Sequence, residues 1–188
     1  MISYCVTSVA AVETTALPPR ILAHVGEKNT ADARAESIAA YRLLAQIGRE
    51  NAVPDILSRL SFDGGRPATD GIYVSLSHAG GLVAAAIADR PVGIDVEPVR
   101  PLPRMEALAA RYFSEEENAA LCAVPSAEKE ETFFRIFTKK EAYAKANGIS
   151  LAETVRRDLS AYPPYAQKVV RDEKSGILYA FTVILCES

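Results

Sequence analysis

Residues 73–97 constrain the fold of this chain more than any other stretch. Three strand-length runs, at 73–77, 82–88 and 92–97, are rich in valine, isoleucine and alanine. Gly80-Gly81 makes the first reversal between them, because glycine enters positive φ without steric cost, and Asp89-Arg90-Pro91 makes the second. Short apolar strands joined by tight turns pair antiparallel and need a cover on one face. Helical segments supply it. Across residues 30–50 the apolar positions Ala33, Ile38, Ala40/Tyr41, Leu44 and Ile47/Gly48 recur near the helical period, with Asn29 or Thr30 placed to cap the start. Further helices are expected at 105–112, after Ser114 with Glu117 completing a capping box, and from Ser126 to about Asn147, where Gly148 stops the run.

Residues 2–9 read as a strand, 61–71 as a turn-rich loop, and 166–170 with 176–186 as a hairpin. Pro98, Pro101 and Pro103 interrupt the chain after the third strand, marking a lobe boundary or a loop over a site. Helix-then-strands order appears twice, at about 30–97 and 105–186, without a clear internal sequence repeat. The expected class is α+β, with antiparallel sheets each covered by helices.

The balance of charge excludes several roles. A formal net charge of −3 gives no overall basic field to draw the chain to nucleic acid or an anionic membrane, so any anion site must be built locally. Cys5, Cys122 and Cys186 are far apart and form neither a CxxC motif nor a Cys/His cluster, so Cys5 and Cys186 read as small buried hydrophobes. The N-terminus lacks a basic segment followed by a long apolar run, and no stretch has the length of a membrane span; the expected location is cytoplasmic.

Two charged segments carry the chemistry. Asp95 and Glu97, in Gly93-Ile94-Asp95-Val96-Glu97, are two apart, so on a strand both carboxylates leave one face. Like charges so placed repel unless a cation separates them, and Mg²⁺ takes such oxygen ligands. Alone, the pair reads equally as a solvated strand end. Glu141 and Lys145 are four apart on a helix and share a face, which alone reads as a surface ion pair. Lys139 and Lys140 add positive charge beside them, and such a mixed site suits a metal-bound pyrophosphate. Ser77-His78 ends a strand just before Gly80-Gly81, where a ligand can approach the backbone. Arg66, in Gly64-Gly65-Arg66-Pro67, offers a planar fork to a phosphate or is a solvated loop arginine.

Ser75-Leu76-Ser77-His78, then GIDVE at 93–97, then FTKKEAYAKANG at 137–148, in this order and spacing, closely resemble the 4′-phosphopantetheinyl transferase superfamily. The resemblance is strong over residues 64–151. Chain length and the mid-chain position of GIDVE favour the longer, pseudo-two-fold, monomeric Sfp-like type. That implies two similar lobes, 1–90 and 91–188, with the metal site in the second. It implies that Asp95, Glu97 and Glu141 hold Mg²⁺ (Mn²⁺ is an alternative) against the pyrophosphate of coenzyme A, and that Lys140 and Lys145 contact its phosphates. Ser77 and His78 would bind near the 3′-phosphate and ribose, with Arg66 where the family has lysine. Arg34 and Arg42 are candidates for holding the adenosine bisphosphate part. The chain departs at Phe137, where the family commonly has tryptophan, a change that keeps an aromatic.

The reaction so implied moves the phosphopantetheine arm to a serine of an acyl or peptidyl carrier protein, releasing adenosine 3′,5′-bisphosphate. Lys145 would stabilise charge on the transferred phosphate, and Glu141 is the first candidate base, ahead of Glu117. A basic and apolar surface for the carrier is expected among Arg100, Leu102, Arg104, Met105, Leu108, Arg111 and Phe113. A non-catalytic coenzyme A-binding module and a Mg²⁺-dependent phosphohydrolase are the alternatives. The claim is geometric: Glu141 should stand close enough to Asp95 and Glu97 to share one ion.

Overall fold

The computed structural model of the protein describes residues 1–63 and 66–186. Its contacts divide the chain after Val92, with Cys186 joined to the first unit and Gly93–Leu185 forming the second.

In the first unit β1 (Ile2–Ser8) is followed by α1 (Pro19–Gly26), α2 (Ala31–Glu50), α3 (Ile56–Arg59), the short pair β2 (Ser61–Asp63) and β3 (Arg66–Ala68), then β4 (Tyr73–Ala79) and β5 (Leu82–Ala88). The main sheet has the order β1-β5-β4, antiparallel throughout. Every residue of β5 is buried, and Val83, Ala85 and Ile87 on one face of it join the core against which α2 packs. The apolar face of α2 supplies Ala40, Tyr41, Leu44 and Ile47 to this core. Thr30 caps that helix as expected, its hydroxyl accepting from the Ala33 amide at 3.1 Å.

Helix α1 was not expected. Pro19 opens it at a position where the missing N–H is harmless, and Ile21 and Val25, four apart, bury one face. The expected loop at 61–71 is instead partly the β2–β3 ladder, with Asp63 opposite Arg66.

The second unit runs β6 (Val92–Pro98), α4 (Met105–Tyr112), α5 (Glu115–Ala123), α6 (Lys129–Ala146), α7 (Leu151–Thr154), β7 (Ala166–Arg171) and β8 (Leu178–Leu185). Its sheet has the order β6-β8-β7. The strand at 92–97, grouped by sequence with the strands before it, thus pairs with β8. Both units place a long helix between their first strand and a hairpin whose last strand takes the centre of the sheet. The two units thus share an order of elements that no sequence repeat announces.

Helix α6 lies on β8, where Tyr179–Ile184 is buried, and the Thr138 and Thr182 hydroxyls meet at 2.9 Å across that contact. Ser126 begins a single 3-10 turn, so the long helix itself starts at Lys129. Gly148 ends it at φ 65°, with the Ile149 amide donating back to Ala144 O at 3.0 Å. The Ser114–Glu117 capping box of α5 is present in both directions. Among the described residues, no helix is long and apolar enough to cross a membrane.

Candidate active site

The site is set by how closely α6 approaches β6. A Cβ placed on Gly93 would lie 1.9 Å from the Ala142 carbonyl oxygen and 2.7 Å from the Ala146 nitrogen. Only glycine allows the strand backbone to touch the helix backbone here. That contact brings the next residues of β6 under the last turns of α6. The Lys145 ammonium donates to Asp95 Oδ1 at 2.7 Å and to the Ile94 carbonyl at 3.0 Å. Asp95 is buried, and a charge-assisted bond to Lys145 offsets much of the loss of hydration. Asp95 and Lys145, fifty residues apart in sequence, are thus directly joined.

Glu97 leaves the same face of β6 as Asp95, at the half-buried end of the strand, with Arg100 Nη1 3.6 Å from its carboxylate. Its carboxyl is pushed up to about 7, first by burial and then by the negative charge of Asp95. Glu141 adds to the rise, while Arg100 and Lys145 oppose it. Asp95 and Glu141 therefore both act on Glu97 across the site. Their side chains do not close into a cage. Among the described residues no group of three or more His, Cys, Asp or Glu side chains is arranged so as to hold a metal ion. In kind the donors suit a hard divalent cation: three carboxylates, one of which resists ionisation first through burial and then through the charges of the other two.

Lys140 takes a different place. It is fully buried, with its ammonium 2.8 Å from Glu117 Oε2 and donating to the carbonyls of Arg157 at 2.7 Å and Thr154 at 3.2 Å. Three donations fill its three protons. It ties α6 to α5, to the end of α7 and to the segment after it. Glu117 is equally engaged, accepting from the Ser114 amide at 2.9 Å and the Leu159 amide at 3.2 Å. Sequence reasoning missed this pair, although Lys140 continues the apolar stripe of Phe133 and Phe137 at helical spacing. Phe137 keeps an aromatic role, its ring stacked 6.1 Å from that of Phe133.

In the first unit His78 Nδ1 lies 3.1 Å from Glu36 Oε2, and Glu36 Oε1 accepts from the Gly81 amide at 2.7 Å. Glu36, not singled out from sequence, thereby fixes both the ring and the Gly80-Gly81 turn. Ser77 is buried on the same strand. Arg34 donates to the Lys28 carbonyl at 2.8 Å and Arg42 to the Thr15 carbonyl at 2.9 Å. Arg66 belongs to β3, and its side chain lies outside the described part of the structure. Of the surface expected to meet a carrier, Phe113 is core, and Leu102, Met105 and Leu108 pack against it. Arg100 lies over the Phe134 ring at 5.2 Å, and Arg111 over Tyr112 at 5.3 Å.

Residues 91–175 match the family model described as the 4′-phosphopantetheinyl transferase superfamily. The chain is 36% identical over 107 residues to the 4′-phosphopantetheinyl transferase HetI of Nostoc sp., covering 56% of this chain and 45% of that protein. It is 40% identical over 76 residues to psf-1 of Bacillus pumilus, covering 40% and 32% of the two chains. With AcpT of Escherichia coli it shares 38% identity over 88 residues, 46% of this chain and 45% of that one. The matched stretches thus span a third to nearly half the length of these relatives. These matches assign residues 91–175, the stretch holding Asp95, Glu97, Glu141 and Lys145, to the 4′-phosphopantetheinyl transferase superfamily.

Proposed function

We propose that the protein transfers the 4′-phosphopantetheine arm of coenzyme A to a serine hydroxyl of an acyl or peptidyl carrier protein. The observation that carries this reading is the joined Asp95–Lys145 pair, with Glu97 and Glu141 electrostatically coupled beside it, inside the matched segment. Asp95, Glu97 and Glu141 are the residues that would hold Mg²⁺, which when bound supplies charge neutralisation and polarisation to the pyrophosphate. Lys145 is held from two sides, by a carboxylate and a strand carbonyl, so its charge is fixed in place before substrate arrives.

In the reaction the serine oxygen bonds to the phosphorus that bears the pantetheine arm. The pyrophosphate P–O bond breaks, and adenosine 3′,5′-bisphosphate leaves. Glu141 is assigned the serine proton. Glu117 is not needed as a base, because its oxygens serve the α5 cap and Lys140. Ser77, His78 and Arg66, with Arg34 and Arg42, are assigned to coenzyme A, and Arg100, Arg104 and Arg111 to the carrier. The reading takes the protein as a monomer, and Asp95, Glu97, Glu141 and Lys145 all belong to the Gly93–Leu185 unit.

The test is labelling of an apo carrier protein by a fluorescent coenzyme A analogue in the presence of Mg²⁺. Asp95→Ala and Glu141→Gln should abolish labelling while circular dichroism stays native. Near-normal labelling by Glu141→Gln would remove the role assigned to it. Release of the bisphosphate without carrier labelling would point to hydrolysis instead.

A further inference from the structure

A cavity of about 220 Å³ opens elsewhere in the Gly93–Leu185 unit. Ala120 of α5 and Ile136 of α6 give it apolar wall, while Arg135, Lys139, Glu117 and Gln167 supply polar groups. Lys139 stands four residues after Arg135 and three after Ile136 on α6, so both neighbour it on one face. Glu141 and Lys145, also four apart, share another. The cavity is therefore separate from the acid and lysine cluster.

Its charge balance is positive. Glu117 lines the cavity, but its negative charge is taken up by Lys140 at 2.8 Å and by two backbone amides. Lys139 donates to the Ser160 carbonyl at 3.2 Å. Burial, first of all, holds its ammonium below the usual lysine range, with Lys140 acting the same way and Glu117 and Asp158 opposing. Asp158 itself accepts from the amide and hydroxyl of Ser160. Arg135, half exposed, has a loose partner in Glu131 at 4.0 Å. Two cations and an apolar wall lining one small cleft fit an anion that carries a short hydrocarbon body. The volume is below the range of about 300–1,000 Å³ typical of drug-sized ligand sites, so the occupant is fragment-sized.

We propose that this cavity is a second ligand site, taking a short-chain aliphatic carboxylate. The carboxylate sits at Lys139 and Arg135, and the hydrocarbon lies against Ala120 and Ile136. A bound carboxylate sets a negative charge beside the Lys139 ammonium and so offsets the hydration that burial removes. The proposal goes beyond phosphopantetheine transfer and does not depend on it, because its readout is binding alone.

The test is a titration of the whole chain with butyrate, followed in ¹H–¹⁵N spectra, with inorganic phosphate and n-butanol as parallel probes. The Gln167 side-chain amide is a suitable reporter, fixed by donation to the Arg135 carbonyl at 2.9 Å and Thr182 Oγ1 at 3.0 Å. Butyrate should shift Gln167, Lys139 and Ser160 saturably, with a Kd of about millimolar order. Lys139→Met should weaken it about tenfold, as loss of a charge-assisted hydrogen bond implies. Arg135→Gln, at a half-exposed position, should weaken it in a chain whose remaining spectrum is unchanged. Absence of saturation with butyrate would overturn the proposal. So would saturation by phosphate or n-butanol with butyrate silent, or binding undiminished in both variants.

Discussion

Replacing Lys140 with methionine removes one half of an ion pair whose members are 0% and 3% exposed. The methionine fills much of the lysine volume, so the change is electrostatic rather than a cavity. Glu117 keeps its two backbone donors, at 2.9 and 3.2 Å, but loses the cation at 2.8 Å. The carbonyls of Thr154 and Arg157 lose a donor in the same step. Breaking a buried pair in this way is destabilising by about 3–5 kcal/mol. For a chain of this length that corresponds to a fall in Tm of roughly 6–20 °C. The exposed Arg59–Asp55 pair has a similar separation, 2.9 Å, and nearly half of each side chain in water. Arg59→Met should therefore move Tm by less than about 3 °C. Replacing both members, as Lys140→Met with Glu117→Leu, should recover part of the loss, because neither charge is then stranded. Differential scanning fluorimetry measures all four proteins. A Lys140→Met melting point within the range of Arg59→Met would refute the view that this pair fastens α6 to α5.

Two further outcomes follow from the strand–helix contact and the acids beside it. Gly93→Ala forces a methyl group against the Ala142 carbonyl, so α6 must shift; urea unfolding should show a loss of at least about 1–3 kcal/mol. An unchanged midpoint would contradict the close packing. Glu97 titrates near 7 in the folded chain instead of near 4.5, so the folded state binds its proton more tightly than the unfolded state. Stability should therefore fall as pH rises from about 4.5 to about 7, and this slope should diminish in Glu97→Gln, read from Tm across that window. An equal slope in both proteins would assign the effect to other groups.

Much of this arrangement is legible in the sequence because local chemistry decides it. Thr30, the Ser114–Glu117 box and Gly148 mark helix ends, and each is found where its capping chemistry requires. Asp95 and Lys145 were singled out by alternation and helical spacing, and the fold joins them. Long-range packing is where local reading fails. Whether Lys139, Lys140 or Lys145 turns inward depends on α5, α7 and the segment after α7, which supply Glu117 and the Thr154 and Arg157 carbonyls to Lys140. The strand at 92–98 was grouped with its sequence neighbours, although its partner β8 lies some eighty residues on. Gly93 was read as part of a motif, but its reason is the helix backbone pressed against it. Helix α1 was missed although its own signals were present, a proline at the first turn and Ile21 and Val25 four residues apart.

The most direct test of the central claim is the intact mass of an apo carrier protein after incubation with this chain, coenzyme A and Mg²⁺. The account predicts that the carrier gains the mass of one phosphopantetheine on its serine, with one adenosine 3′,5′-bisphosphate released per carrier and neither product formed by Asp95→Ala. A carrier of unchanged mass, across acyl and peptidyl carriers and with the wild-type chain folded, would contradict it.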